Sequence, residues 1–216
     1  MPLAGGAFNA LSHGFSHDGN PGVALCAQVV TKSTAGCRIY HAAMPVLIVC
    51  AHPDLPHSRV NRALLEAARG LPGVTTTDLY GRYPDFFIDV AAEQAALDAH
   101  DTIVLQHPLH WYGMPAMLKH WIDQVLLEGW AYGSGGNRLA GKRWGHALST
   151  GGQAASYEAR GLHQHTLAEF MIPLKRTATL CAMTWLEPFV THGADHLIDA
   201  ERDAAAQSYR NWLTAL

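Results

Sequence analysis

The sequence predicts an α/β protein built on a doubly wound, five-stranded parallel sheet with helices on both faces. Short apolar or β-branched runs, which suit buried parallel strands, alternate along the chain with stretches of helical periodicity. The loops after strands one, three and four are rich in Gly, Pro, His or aromatic residues, as expected where ligands bind at the carboxyl edge of an open sheet. The 216 residues suffice for one such domain and not two.

The five strands are expected at short runs of strand-forming residues: 46–50, 74–79, 102–106, 144–150 and 181–186. Helices are expected after the first strand, at 91–100, after Pro115 and at 200–216. The helix at 91–100 should turn Ala91, Ala95, Ala96 and Leu97 inward. Helical spacing predicts an inward face in two other helices: Met117, Leu118, Trp121, Ile122 and Val125; Ala204, Tyr209, Trp212 and Leu213.

The first loop, residues 51–61, contains Ser58, which suits the N-cap of the helix that follows. The free N–H groups of the following helical turn form an anion-binding site that fits a phosphate, with Arg59 and Arg62 as possible charge partners. The alternative is that Ser58 is an ordinary cap. Neither G-x-G-x-x-G nor a P-loop motif follows the first strand, which disfavours a Rossmann or P-loop nucleotide site.

The loop after the third strand lies between His107-Pro108 and Pro115. Because Pro lacks an N–H, the strand is expected to end before His107-Pro108, and Pro115 is expected to begin the next helix. Between them, Leu109, His110, Trp111 and Tyr112 can offer a flat surface to a planar cofactor such as a flavin. The alternative is a Trp-Tyr pair that only packs over the sheet edge.

Two glycine-containing loops complete the expected site. Ser149, Thr150, Gly151 and Gly152 follow the fourth strand, where the glycines let backbone amides approach a ligand. The stretch 129–136 is Gly-rich and aromatic and is expected to be a mobile lid without regular structure.

Residues 1–43 are rich in Gly, Ser, Ala and His and show no sustained periodicity. We expect this extension to be unstructured, and the position of Met44 directly before the first strand favours a translated upstream segment. Residues 44–216 are the expected working domain.

Composition excludes several classes of function. A net charge of −3 leaves no basic footprint for nucleic acid. The four cysteines form no C-x-x-C pair and the fourteen histidines are scattered, so no metal site is expected, and a reducing, cytoplasmic location is favoured. The longest unbroken apolar run before the core, 46–51, falls far short of the roughly 20 residues of a membrane-spanning helix. A charged fraction of 15% suggests a buried oligomer interface.

Six segments of the chain resemble one known family: AHPDLPHSRVN, LYGRYPDFFIDVAAEQAAL, QHPLHWYGMPAMLKHWIDQV, EGWAYG, LSTGG and WLEPF. From Met44 onward the chain resembles the NAD(P)H:quinone oxidoreductase (DT-diaphorase) family, and in particular the ancillary quinone reductases of bacterial glutathione-gated potassium efflux systems. The first 43 residues match nothing in that family. The resemblance implies a flavodoxin-like fold with strand order 2-1-3-4-5.

The resemblance also implies the chemistry. Family members reduce quinones by two electrons through bound FMN, with FAD as the alternative, and use NADPH or NADH as donor in a ping-pong sequence. It implies a homodimer with the site at the subunit boundary, and a membrane potassium efflux transporter as a further partner. A peripheral position at the inner face of the cell membrane is the corresponding alternative to a purely cytoplasmic one.

The same resemblance assigns site residues. His52 and the run Ser58, Arg59, Val60 and Asn61 match the phosphate and ribityl loop, Leu109 to Tyr112 the isoalloxazine platform, and Ser149 to Gly152 the far side of the ring. Tyr157 and His163 match the Tyr and His that relay charge during hydride transfer, with His165 an equally close neighbour to His163.

Two other functions stay open on the sequence. Ala51-His52-Pro53-Asp54 resembles the loop of zinc-dependent N-acetylglucosaminyl deacetylases, but Leu55 replaces the second acid of their A-H-P-D-D-E motif. A flavodoxin-type electron carrier would need stronger acidity around the flavin than a net charge of −3 indicates.

Overall fold

The computed structural model describes residues 45–216, and the expectations for residues 1–43 lie outside this range. Six strands form one parallel sheet: β1 Val46–Cys50, β2 Val74–Asp78, β3 Thr102–Pro108, β4 Arg143–Ser149, β5 Thr184–Trp185 and β6 Phe189–Thr191. The order is β2-β1-β3-β4-β5, and β6 also pairs with β4. This confirms the doubly wound fold and the predicted order 2-1-3-4-5.

The helices of the described range pack on the two faces of the sheet: α1 Arg59–Ala68, α2 Leu79–Arg82, α3 Val90–Asp98, α4 Ala116–Val125, α5 Leu167–Phe170, α6 Ile172–Leu180 and α7 Asp199–Thr214. Side chains alternate along β1, so that Leu47 and Val49 enter the core under α3 and α4 while Ile48 enters the core under α1 and α7. None of the helices between residues 45 and 216 is both long and apolar enough to cross a lipid bilayer.

The prediction that β3 ends before His107 is wrong, since the strand runs through Pro108, which pairs with Ser149. On the β1 side, the carbonyl of Gln106 accepts a hydrogen bond from the backbone N–H of Ala51. On the β4 side, the N–H of Leu109 donates a hydrogen bond to the carbonyl of Ser149. Pro108 therefore faces the β1 side, where β1 has already ended at Cys50. No ladder bond is lost, because no strand is there to accept it.

The predicted fifth strand at 181–186 is also wrong in its bounds. Cys181 caps the end of α6, and the strand is divided into β5 and β6 by Leu186-Glu187-Pro188. Both pieces pair in parallel with β4, one after the other, so together they take the place of the predicted fifth strand at the edge of the sheet. The split brings the end of β6 to the carboxyl edge of the sheet beside Ser149.

The inward face of α3 differs from the prediction. Ala91 and Ala95 are exposed, whereas Glu93 is buried beside Leu97. The Glu93 carboxylate accepts hydrogen bonds from the Tyr83 hydroxyl at 2.7 Å and from Trp121 Nε1 at 2.8 Å. Burial, followed by this contact with Glu93, raises the pKa of Tyr83 to about 12. A charged residue lies inside because it is fully partnered there, which helical spacing cannot indicate.

Most of the other predicted inward residues are buried or half-buried, but Ala204 on α7 is exposed. On the same helix Tyr209 and Leu213 are buried and Trp212 packs against them as a partly buried ring.

Candidate active site

A cleft of about 450 Å³ opens where the carboxyl ends of β1, β3 and β4 meet. Ten of the sequence-predicted residues line it: His52, Ser58, Arg59, Val60, Asn61, Leu109, His110, Ser149, Thr150 and Gly151. Five further lining residues are absent from the sequence-based candidates: Asp54, His57, Pro108, Ala194 and Asp195. The three loops expected to share one ligand thus share one cavity.

The start of α1 forms one wall of the cleft. Ser58 is its N-cap, and the Ser58 hydroxyl accepts from the backbone N–H of Asn61 at 3.2 Å. The earlier N–H groups of this first turn point outward without helical acceptors, which favours an anion. Arg59 is less available than expected, because its guanidinium donates to Asp199 on α7 at 2.8 Å.

His52 is held as a neutral imidazole at the end of β1. Its Nδ1 accepts from the backbone N–H of Asp54 at 3.1 Å, so the ring proton lies on Nε2 and is available to a ligand. Burial, and then the neighbouring His110, lower the pKa of His52. Asp54 itself contacts His57 at 2.7 Å, which lowers the pKa of this exposed carboxyl.

The aromatic loop after β3 contains a tight turn. His110 and Gly113 exchange two backbone hydrogen bonds of 3.0 and 2.9 Å, and Trp111 and Tyr112 between them have φ values of 48° and 64°. These are the dihedrals of a type I′ turn, which non-glycine residues adopt only at a cost of about 1–3 kcal/mol each.

This turn divides the predicted platform. Leu109 and His110 line the cleft, whereas the Trp111 side chain is 94% exposed and Tyr112 is directed to a neighbouring group of rings. Tyr112 packs against Phe170 at 5.0 Å and His163 at 5.4 Å between ring centroids. Trp111 therefore faces solvent and does not line the cleft.

Tyr157 and His163, the two candidate catalytic residues, lie together behind the loop after β4. Tyr157 is buried, and its ring lies 4.6 Å from that of His163. A Cβ at Gly152 would lie 3.2 Å from Tyr157 and 3.3 Å from His163, so the absence of a side chain lets both rings approach. His165 instead contacts Glu169 at 3.3 Å on the exposed side, which separates it from Tyr157.

A second loop, His192 to Asp195 after β6, supports the loop after β4 and was not predicted from the sequence. Backbone bonds join Thr150 to Thr191 and Ala194, and Gly193 to Gly152, at 2.9–3.0 Å. Asp195 approaches so closely that a Cβ at Gly151 would lie 3.1 Å from its carboxylate. Only the divided fifth strand brings this loop to the cleft, and the string Thr-His-Gly after an apolar run is the one sequence signal for it.

The Gly-rich stretch 129–136 lies away from this cleft. It consists of turns closed by backbone bonds, including Gly129 to Tyr132 and Arg138 to Trp130, and Ala131 is buried in the core. Trp130 and Tyr132 pack against the same core as partly buried rings. Its predicted role as a mobile lid stays a prediction.

These residues fit the phosphate and polyol parts of a flavin nucleotide. The start of α1 offers unpaired N–H groups, and Asn61 Oδ1 is buried at the cleft wall without a partner in the described structure. Gly151 leaves the backbone of the β4 loop open to a ligand. Between residues 45 and 216, no three His, Cys, Asp or Glu side chains form a metal-binding group.

Comparison with known proteins gives a consistent family. Residues 44–214 match the family described as flavodoxin-like fold. The glutathione-regulated potassium-efflux system ancillary protein KefG of Cronobacter sakazakii is 44% identical over 168 residues, which are 78% of this chain and 91% of that protein.

Three solved structures are similar in sequence and fold. General stress protein 14 of Treponema denticola in complex with FMN is 38% identical with a TM-score of 0.75, over 79% of this chain and 98% of that one. An NADPH-quinone reductase from P. pentosaceus is 29% identical with a TM-score of 0.73, over 80% and 99%. A structure described as a tryptophan halogenase from Streptomycin violaceusniger is 40% identical with a TM-score of 0.75, over 76% and 96%.

Proposed function

Because this chain belongs to the flavodoxin-like fold family and has the KefG ancillary proteins as relatives, we propose that it reduces quinones by two electrons through bound FMN, with NADPH or NADH as donor. The observation that carries this proposal is the single cleft shared by the loops after β1, β3 and β4. The 38% identity to an FMN complex and the 29% identity to an NADPH-quinone reductase support the cofactor and the reaction.

Three groups of residues would contact the cofactor. The start of α1, with Ser58 and Asn61, would hold the FMN phosphate and the adjoining polyol, since a helix N-terminus favours a dianion. His52 would donate a hydrogen bond from Nε2 to the bound cofactor. The backbone of Thr150 and Gly151 would border the ring. Bound FMN would supply the redox chemistry, as acceptor of hydride from the nicotinamide and as donor to the quinone.

Tyr157 and His163 would then hold or release a proton beside the reacting groups. A tyrosine hydroxyl or an imidazole N–H stabilises charge that develops during hydride transfer and can protonate the reduced oxygen of the acceptor. Their contact at 4.6 Å and their packing on Gly152 keep both rings at the rear of the cleft loop.

The test of this proposal starts from purified protein. We expect a visible flavin absorption band, FMN released on denaturation and identified by mass, and quinone-dependent oxidation of NADPH or NADH with parallel ping-pong kinetics. Release of FAD alone would correct the cofactor and keep the fold. A colourless protein that does not bind added FMN would contradict the proposal. Incubation with tryptophan, a halide, NADPH, FMN and dioxygen as the oxidant is a further arm, in which halogenated tryptophan without quinone reduction would favour the halogenase reaction.

Ser58→Ala is expected to weaken FMN binding by about fivefold, because loss of a cap and its phosphate contact typically costs about 1 kcal/mol. Within residues 45–216 the Ser58 hydroxyl bonds to the first turn of α1 alone, so turnover at saturating FMN should stay near the native value. Flavin titration and steady-state turnover measure the two effects. Native FMN affinity in this variant would show that Ser58 is a structural cap alone.

A homodimer is also proposed, with the site at the subunit boundary and with the helix that begins after Pro115, α4, and the loop from Trp130 to Gly136 contributing to the contact. The 94% exposed Trp111 in a strained turn next to α4 supports such an interface, since contact with a second copy would remove its ring from water. Sedimentation at micromolar concentration should give twice the monomer mass, and a monomeric mass would contradict this proposal.

The identity to KefG ancillary proteins supports a further role as partner of a glutathione-regulated potassium-efflux transporter. The protein would then work in the cytoplasm or at the inner face of the cell membrane. Potassium efflux from cells that contain such a transporter, with and without this chain, tests that role separately from quinone reduction.

A further inference from the structure

Gln106 is a fully buried polar side chain inside the central strand β3, where an apolar residue would pack without cost. Its Nε2 donates to the backbone carbonyl of Asn61 in the first turn of α1 at 2.7 Å. A carbonyl can only accept, so this contact fixes the amide orientation, and Oε1 then has no partner in the described structure. Leaving a buried acceptor unpaired is unfavourable, so Gln106 lowers the stability of the strand unless its contact with Asn61 has another role.

Asn61 is held from three sides. Ser58 Oγ accepts from its backbone N–H at 3.2 Å, Gln106 donates to its carbonyl, and its own Nδ2 donates to Ser149 Oγ at 2.8 Å. These contacts join the loops after β1 and β4 through the central strand. The one polar atom of Asn61 left over is Oδ1, which is buried in a residue that lines the cleft.

We propose that Gln106 is a positioning residue of the cofactor site, which acts through Asn61 by holding its side-chain oxygen ready to accept a hydrogen bond from a hydroxyl or N–H of the bound flavin nucleotide. This inference rests on the proposed function. Gln106 does not line the cleft, so it affects the cofactor only through the first turn of α1. A preorganised acceptor raises affinity because the ligand does not have to order it.

The experiment is a double-mutant cycle on FMN affinity. Gln106→Met keeps the length of the side chain and removes the donor, and it should weaken FMN binding by about tenfold, as should Asn61→Ala. Independent effects would multiply to about a hundredfold in the double variant. Because both substitutions are expected to act on one contact, the double variant should bind no more than about twofold more weakly than Asn61→Ala alone.

The matched control is Thr102→Val at the other end of β3. Thr102 is also a buried polar residue of this strand, and its hydroxyl accepts from Arg143 Nε at 2.9 Å, far along the strand from the cleft. This variant should lower the melting temperature and leave FMN affinity native. Equal loss of FMN affinity in Thr102→Val and Gln106→Met would mean that any buried polar change in β3 acts through stability, and would overturn the proposal.

Wild-type protein provides a second measurement that does not depend on folding of the variants. Addition of FMN should shift the side-chain amide resonances of Gln106 and slow their hydrogen exchange. Unchanged resonances in protein saturated with FMN, or multiplicative losses in the cycle, would overturn the role of Gln106 and leave the proposed function intact. Failure of the wild-type protein to bind FMN would instead contradict the proposed function itself.

Discussion

Tyr157→Phe is expected to slow reduction of the bound flavin by NADPH or NADH by about tenfold or more, because one hydrogen-bond donor to developing charge is typically worth one to a few kcal/mol. FMN should stay bound, since the Phe ring can keep the contacts that Tyr157 makes with His163, His192 and Gly152. Stopped-flow bleaching of the flavin absorbance measures the rate, and flavin titration measures retention.

Tyr209→Phe is the matched control. The Tyr209 hydroxyl is buried between α7 and the sheet without a partner in the described structure, and its ring packs on Phe189 and Trp212. Removing it should leave flavin reduction native. If Tyr157→Phe also reduces at the native rate, Tyr157 is a structural ring, and His163→Phe becomes the next variant to test.

The parts of the fold that depend on local pattern could be read from the sequence. A continuous apolar run such as Val46–Cys50 has one favourable place in an α/β protein, the centre of the sheet, and β1 has the predicted bounds. The loops after β1, β3 and β4 share a cleft because the carboxyl ends of parallel strands meet at one edge.

The parts of the fold that depend on how strands pair with one another could not be predicted from the sequence. Whether Pro108 ends a strand is decided by where β1 stops, and whether 181–186 is one strand is decided by how β4 is shared between β5 and β6. Side-chain direction is a similar case. Trp111 faces solvent because two successive residues adopt positive φ, which the sequence Trp-Tyr does not indicate.

A buried pair of histidines makes the folded domain sensitive to acid. His107 on β3 and His146 on β4 are fully buried, and His107 Nε2 lies 3.3 Å from His146 Nδ1. His107 Nδ1 lies 3.0 Å from the carbonyl of Pro108, which can only accept. The proton of His107 is therefore on Nδ1, its Nε2 accepts from His146, and both rings are neutral in the fold.

Burial lowers the pKa of His107 to about 4 and that of His146 well below its usual value of 6.5. The unfolded chain therefore binds more protons than the folded one below pH 6.5, and the free energy of unfolding falls as the pH decreases from about 6.5 towards 4. At pH 5, the unfolded state gains about 2 kcal/mol for His107, from about 1.5 pH units at 1.36 kcal/mol per unit. Burial lowers the pKa of His146 in the same direction, so this ring is expected to add to the loss of stability between pH 7 and pH 5.

Urea unfolding at pH 7 and pH 5 measures this difference, with FMN content held the same at both. His146→Phe keeps a ring beside Trp144 and Trp185 and removes one proton-binding site, so it should reduce the pH-dependent loss. It should not abolish the loss, because burial also lowers the pKa values of His107, His52 and His192. His196→Gln, a change at an exposed histidine, is the control and should leave the difference unchanged.

The exposed carboxyls with lowered pKa values, Asp54, Asp199 and Glu169, lose their contribution to stability only as the pH falls further, so they do not account for a loss between pH 6.5 and 5. Equal stability of the wild-type protein at the two pH values would mean that the two rings accept protons inside the fold, and would contradict their assignment as a neutral pair.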